Sequence, residues 1–414
     1  MDRARAEQLD ADDVLAPLRA RFVLPAGGES DLVYLDGNSL GMLPRQALRR
    51  LHDVVEDEWG GELVRAWPSW IGLPMHVGDR LGTALLGAAQ GQVVVADSTS
   101  VNLFKLGWAA VDARPGRTRI VTDAGNFPTD RYVLEGIAHA RGLTLELVET
   151  EDLDAVRAAI DEQTALVSLS HVDYRSAAIA DVAGLTAAAH EVGALVLWDL
   201  AHSAGALPVT LDAWNVDLAV GCTYKYLNAG PGAPAFLYVR SDLQAQLRQP
   251  IWGWFGQREQ FAMGPGYDPV PGIERFQVGT PFIPGVVLVD EGVALLAEAG
   301  IDRVRAKSTA LTALLVELVD AWLVPLGFTI ASPRDTARRG SHVSIAHPDG
   351  YRICRALIEQ GRVVPDFRAP DRIRCGLSPL TTRFVDVWDA MDRLRSLVER
   401  GVHLSYGQER AAVT

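Results

Sequence analysis

The chain has 414 residues, 48% of them hydrophobic and 22% charged, enough for a large core and more than one compact unit. Its 39 Lys and Arg stand against 52 Asp and Glu, a net charge of −13, and without a strongly basic run such a chain repels a phosphate backbone, so no nucleic-acid partner is expected. Cys222, Cys354 and Cys375 are the three cysteines; with no Cys-x-x-Cys spacing they indicate neither a disulfide framework nor a zinc site, and a reducing cytoplasm is the expected setting.

The first residues, MDRARAEQLDADDVLAPLRA, alternate charged with apolar side chains and lack the continuous apolar run of a signal peptide. No stretch of about 18 uncharged apolar residues follows, so no membrane segment is expected. Short β-branched runs at Val93–Val95, Arg119–Thr122, Leu166–Ser170, Leu195–Asp199, Leu218–Cys222 and Ala235–Val239 alternate with Ala- and Leu-rich stretches at helical spacing. One such helix is predicted over Asp181–Glu191, stopped by Gly193. Strands that read as unbroken apolar runs are buried on both faces, which predicts an α/β fold with a mostly parallel sheet covered by helices. A ligand is then expected at the carboxyl ends of the strands.

After about Gly285 the pattern changes to long helices, Val286–Ala299 and Asp302–Trp322. Short strands near Phe328–Ile330, His342–Ile345 and Ile373–Leu377 follow, with helices Tyr351–Glu359 and Phe384–Glu399. This reads as a smaller α+β domain. The expected division is an N-terminal segment, 1–60, packing with the small domain, a large cofactor-binding domain, 61–285, and a small C-terminal domain, 286–414.

The densest chemistry lies in LVLWDLAHSAG and DLAVGCTYKYLNAGPG. One apolar strand ends in Asp199, and the next runs into Lys225, packed between aromatics. A buried carboxylate is costly without a positive partner, and a partly desolvated lysine more readily becomes a nucleophilic amine. Together they suit pyridoxal 5'-phosphate: the lysine holds the aldehyde as a Schiff base and the carboxylate keeps the pyridine nitrogen protonated. Thr99 and Ser100 follow a strand and open a helix, where hydroxyls and free amides stabilise a phosphate or simply cap the helix.

The segments YLDGNSLGMLP from Tyr34, DSTSVNLFK from Asp97, NFPTD from Asn126, DLAHSAG from Asp199, YKYLNAGPG from Tyr224 and GWFG from Gly253 together resemble kynureninase, a class-V pyridoxal-phosphate family of the aspartate-aminotransferase fold. They run in family order from roughly residue 34 to 380. The resemblance implies hydrolysis of L-kynurenine, or its ring-hydroxylated relative, to an anthranilate and L-alanine. It assigns Thr99 and Ser100 to the cofactor phosphate, Phe127 to stacking on the pyridine ring, and Asp130, Asp199 and His202 to the cofactor site, with Ser170 a further candidate at its strand end. Tyr224 is implied near the phosphate and the substrate's β-carbon as a proton donor, beside Lys225. Trp254 and Thr280 are implied to reach the cofactor of a neighbouring subunit, so that the site is complete only in a homodimer. Arg374, with Asn38, is implied to bind the substrate, the planar guanidinium taking the α-carboxylate; Arg372 is the alternative on the same strand face, and His171 is left unassigned. The Gly279-Thr280 pair resembles members that prefer kynurenine over its hydroxylated form.

Other readings use the same lysine. A cysteine desulfurase needs a mobile cysteine, yet Cys375 adjoins Arg374 on a predicted strand and should face the other way, and Cys354 falls in a helical pattern. An aminotransferase needs a keto-acid acceptor. A regulator that merely senses the cofactor would need a nucleic-acid-binding segment, for which the acidic residues before Tyr34 are too few.

Overall fold

The computed structural model describes residues 2–25, 31–148, 153–407 and 409. In chain order its strands are β1 (Val33–Tyr34), β2 (Val93–Val95), β3 (Arg119–Asp123), β4 (Thr144–Val148), β5 (Thr164–Ser170), β6 (Leu195–Asp199), β7 (Leu218–Gly221) and β8 (Phe236–Val239). The later part of the chain adds β9 (Thr329–Ile330), β10 (His342–Ala346), β11 (Val363–Val364), β12 (Asp366–Arg368) and β13 (Arg372–Gly376).

Seven strands form one sheet in the order β2-β8-β7-β6-β5-β3-β4, parallel except for β8, which runs against both its neighbours. Successive residues along the strands feed two different cores, as a pleated strand requires. Leu195 and Leu197 of β6 join Leu166, Leu218 and Val220 beneath helices Thr99–Asp112 and Pro128–Arg141, while Val196 and Trp198 join the core beneath helices Val182–Glu191 and Ile283–Ala299. Burial on both faces, at about 1.5–3 kcal/mol for each large apolar side chain, accounts for the unbroken apolar runs.

The C-terminal sheet is antiparallel, in the order β12-β13-β10-β9, and packs on helices Ile301–Leu318 and Phe384–Glu399. The N-terminal residues join this unit: β1 pairs in parallel with β11, and helix Arg3–Ala11 lies on helix Phe384–Glu399. Asp10 caps that helix, accepting from the amides of Phe384 at 2.7 Å and Val385 at 3.0 Å. The helical residues Arg45–Leu81 turn instead toward helix Ile283–Ala299.

The sequence pattern does not signal β4, β11 or β12. β4 is an edge strand whose side chains are half exposed, and the other two are only two and three residues long, too short for periodicity to register. Gly300, at φ +78°, separates the two long helices as its freedom in the left-handed region allows. The continuous helix Ile301–Leu326 is long and apolar enough to cross a membrane, but Leu311, Leu315 and Leu318 lie in the core of the C-terminal unit.

Candidate active site

The carboxyl ends of β3, β5 and β6 and the N-termini of helices Thr99–Asp112 and Pro128–Arg141 converge on one edge of the large sheet. Asp199, the last residue of β6, is buried and accepts from Ala201 N at 2.7 Å. Asp130, in the first turn of its helix, is buried beside it. Burial and the charge of Asp199 hold the Asp130 carboxyl well above the usual range, opposed by Lys225. Asp199 is also raised by burial, with Lys225 and the Ala201 amide pulling it back. Each carboxyl thus raises the other's demand for a positive partner, which Lys225 supplies.

Lys225 Nζ lies 2.9 Å from His202 Nε2. Burial, then the positive charge of Lys225, push His202 well below its ordinary range, which favours the neutral imidazole. Lys225 sits in a turn that continues from β7, against which the YLDGNSLG segment is pressed. A side chain at Gly41 would come within 2.3 Å of Lys225 O, and Gly41 N donates to Tyr224 O at 2.8 Å. The Tyr224 phenol is raised by burial and by Cys222, so it is protonated at neutral pH and able to donate.

Ser98 caps the helix that Thr99 and Ser100 begin, accepting from Val101 N at 3.4 Å. Phe127 precedes Pro128 at its helix start, 40% exposed, its ring edge-on to Tyr174 at 5.3 Å. Asn126, which sequence reasoning passed over within NFPTD, fixes this corner: its Oδ1 accepts from Phe127 N and Ser170 Oγ, both at 2.8 Å. Lys105 was also missed. It is wholly buried, donates to Asp97 Oδ2 at 2.6 Å and to Phe276 O at 2.7 Å, and so ties the start of the Thr99 helix to the Phe276–Thr280 loop.

Arg374 is buried on β13, opposite Ser344 and Asp366. Its Nε donates to Asp366 Oδ1 at 2.8 Å, and Nη2 pairs with Asp366 Oδ2. Nη1 donates to Tyr174 O at 2.6 Å, and Ser39 Oγ accepts from Nη2 at 3.2 Å. With its amide oxygen turned toward the guanidinium, the buried Asn38 accepts from Nε at 3.0 Å. Asp366 is thus the orienting partner of Arg374, and nothing in the short segment PDFR marks it beforehand. Arg372 lines a separate cavity with Asn126 and Ser170. His171 packs its ring edge-on to Trp214 at 5.4 Å and is pushed down to about 4 by burial and Arg305.

Trp254 and Thr280 are brought to each other rather than to Lys225. Loops 253–256 and 276–280 lie so close that a side chain at Gly253 would meet Val278 O at 1.9 Å. Both residues are exposed, in a region that also exposes Trp252, Phe261, Met263 and Phe282. All three cysteines are buried, and burial raises each thiol, Cys375 to about 12.

These side chains fit pyridoxal 5'-phosphate on their own geometry. A lysine, a buried carboxyl pair, a helix N-terminus and an aromatic ring converge on one edge of the large sheet. Two of its buried atoms, Asp130 Oδ2 and His202 Nδ1, have no partner among the described residues. Fold and site together define a pyridoxal-phosphate-dependent enzyme of the aspartate-aminotransferase fold. A model of Cys/Met-metabolism pyridoxal-phosphate-dependent enzymes matches residues 92–232. A cysteine desulfurase structure from Thermococcus onnurineus superposes with a TM-score of 0.80 at 19% identity, over 93% of this chain and 98% of that one, a likeness of fold. The C-terminal domain model of kynureninase matches residues 304–394. Kynureninase of Pseudomonas fluorescens is 47% identical over 95% of this chain and 94% of its own length, and that of Burkholderia pseudomallei strain 1106a is 45% identical over 96% and 95%. The chain belongs to the kynureninase family.

Proposed function

We propose that the chain hydrolyses L-kynurenine to anthranilate and L-alanine, with Lys225, Asp199 and Tyr224 at the reacting centre. The observation that carries this reading is Lys225 Nζ at 2.9 Å from His202 Nε2, beside the buried Asp130 and Asp199, in a chain whose relatives over nearly its whole length are kynureninases. Pyridoxal 5'-phosphate, when bound, supplies the electron sink for cleavage of the substrate's Cβ–Cγ bond after water adds to the γ-ketone.

The chain's own residues orient and move protons. Lys225 would hold the cofactor through its aldehyde and would carry the proton of the substrate's α-carbon. Asp199 would face the pyridine nitrogen and keep it protonated, with Asp130 beside it. Phe127 would pack on the ring, while the amides and hydroxyls at Thr99 and Ser100 would hold the phosphate. Tyr224, its phenol kept protonated, gives a proton to the β-carbon. Arg374, pinned by Asp366 and Asn38, takes the α-carboxylate by exchanging its contacts to Ser39 and Tyr174 O. Trp254 and Thr280 of a second copy complete the site in a homodimer located in the cytoplasm. Desulfuration is disfavoured because every thiol is buried and raised.

Product analysis with L-kynurenine and with L-cysteine separates the readings. Alanine released from kynurenine without any keto acid, and no sulfide from cysteine, is the expected result. Release that requires a keto acid makes the chain an aminotransferase.

A further inference from the structure

Behind the wall formed by Ser170, Asn126 and Phe127 lies a second cavity of about 360 Å3, between the carboxyl ends of β3 and β5 and the C-terminal unit. Its lining includes none of Lys225, Asp199, Asp130 or His202. Four of its side chains carry polar groups left unanswered among the described residues. Asp123, at the end of β3, is 6% exposed, and its Oδ1 has no hydrogen-bond partner among the described residues. Arg175 donates from Nη2 to Ala369 O at 3.2 Å, while its buried Nε has no partner among the described residues. Arg338 and Arg372 line the cavity with no side-chain ion pair among the described residues. The neighbouring Asp173 is already engaged, its Oδ1 accepting from Ser176 N at 2.6 Å.

Buried polar atoms without partners are costly, so the convergence of Asp123 Oδ1 and Arg175 Nε on one cavity, which the more exposed Arg338 and Arg372 border, points to a ligand that answers them. Three guanidiniums against two carboxyls ask for an anion, and a guanidinium fork recognises a carboxylate. The orphan oxygen of Asp123 asks for a donor on the same molecule. Leu169, Ile179 and Ala180 supply apolar wall for a flat ring. The volume lies in the range of small-molecule sites.

We propose that this cavity is a second binding site for a small aromatic carboxylate bearing a hydrogen-bond donor, its carboxylate on Arg338 and Arg372 and its donor on Asp123. The aminobenzoate released by the reaction above belongs to this class, so the choice of ligand rests on that reading. Burial together with Asp173 raises the Asp123 carboxyl to about 7, which agrees with a group awaiting a partner. The cavity shares its wall with the active site, since the Asn126 oxygen that holds Ser170 also holds Phe127 N. An occupant thus leans on the segment that carries the ring-stacking residue.

Equilibrium dialysis of the holoenzyme against 2-aminobenzoate tests the site. The wild type should take up one molecule per chain more than Arg338→Ala at the same free concentration. Arg338 is exposed and its loss leaves the fold intact, so kcat/KM for kynurenine should not change in this variant. Benzoate, which lacks the donor, should bind the second site about 2- to 10-fold more weakly, as expected for one lost hydrogen bond, and Asp123→Ala should erase that preference. Equal uptake by wild type and Arg338→Ala, or equal affinity for benzoate and 2-aminobenzoate, overturns the site. Kynurenine turnover in the same preparation shows whether the reaction itself stands, independently of the cavity.

Discussion

Around Lys225 the polar groups are buried and set against one another within a single chain; around Trp254 and Thr280 the side chains are exposed and meet nothing of that cluster. The first region is built by the sheet, whose strand ends deliver Asp199 and Ser170 and whose next turn delivers Lys225. The second hangs on loops pinned from beneath by Lys105 and displays aromatic surface outward. Chemistry is preorganised where the chain can desolvate charges by itself, and for the exposed part a second copy is the partner we propose. Substitutions in the two regions should therefore differ in kind as well as size.

The largest loss is expected at the buried centre. Lys225→Ala should remove the visible absorbance of the lysine-bound cofactor and nearly all turnover, while the circular dichroism of the fold persists; an unchanged spectrum contradicts the role of Lys225. Asp199→Asn comes next. The cofactor should still bind, but kcat should fall on the order of 10^2- to 10^3-fold, the range for removing one pre-oriented charge-stabilising group. A near-normal kcat in the cofactor-saturated variant would show that Asp130 alone protonates the pyridine nitrogen.

Arg374 lies at the margin between the two regions. Arg374→Ala should raise KM for kynurenine about 30-fold or more with the cofactor spectrum intact, since a buried guanidinium–carboxylate pair loses about 2 kcal/mol or more when one partner goes. It should also lower Tm, because the buried Asp366 loses its fully buried ion-pair partner and keeps the half-exposed Arg368 and the Ser39 hydroxyl among the described residues. Arg374→Lys should recover part of the loss, keeping charge without the fork. If Arg372→Ala raises KM instead, the carboxylate is held from the neighbouring cavity.

Smaller effects test the exposed part. Trp254→Ala should weaken cofactor retention and lower turnover moderately. Mixed dimers of Trp254→Ala with Lys225→Ala should exceed the mean activity of the two parents, because one of the two hybrid sites is then free of both substitutions. Activity at or below that mean shows that Trp254 serves its own chain.

The smallest expected change concerns Asp123, which is buried like Asp199 but has no lysine beside it. Its folded value of about 7 lies above the ordinary carboxyl value of about 4, so the fold binds the extra proton between these limits. The stability this gives is full below about pH 4 and is lost as pH rises through about 7. Asp123→Asn lacks that dependence, and its Tm relative to wild type should climb from pH 5 to pH 8. A constant difference would show that Asp123 is ionised throughout.

Much of the architecture was legible in the sequence because strands buried on both faces carry their charged residues only at their ends. The runs ending in Ser170 and Asp199, and the run just before Lys225, therefore announced both the sheet and the edge where chemistry gathers. The supporting residues were less legible. Asp366 orients Arg374 from a three-residue strand, and Lys105 points into the core from the middle of an Ala- and Leu-rich helix, where a lysine ordinarily faces water. Their roles depend on pairings distant in sequence, to Ser39 across the domains and to Phe276 O in a loop, which no local pattern encodes. The unanswered groups of the second cavity were invisible for the same reason, since Asp123, Arg175 and Arg338 meet only after the two sheets close on each other.

Cleavage of the substrate's Cβ–Cγ bond by hydrolysis is the central claim, and isotopic analysis of the products in D2O tests it most directly. With L-kynurenine and cofactor as the only additions, the wild type should form one alanine per 2-aminobenzoate, each alanine carrying a solvent-derived deuterium on its β-carbon, and Lys225→Ala should form neither product. Alanine without β-deuterium, a product ratio far from one, or release of 2-aminobenzoate by Lys225→Ala at the wild-type rate would contradict the account.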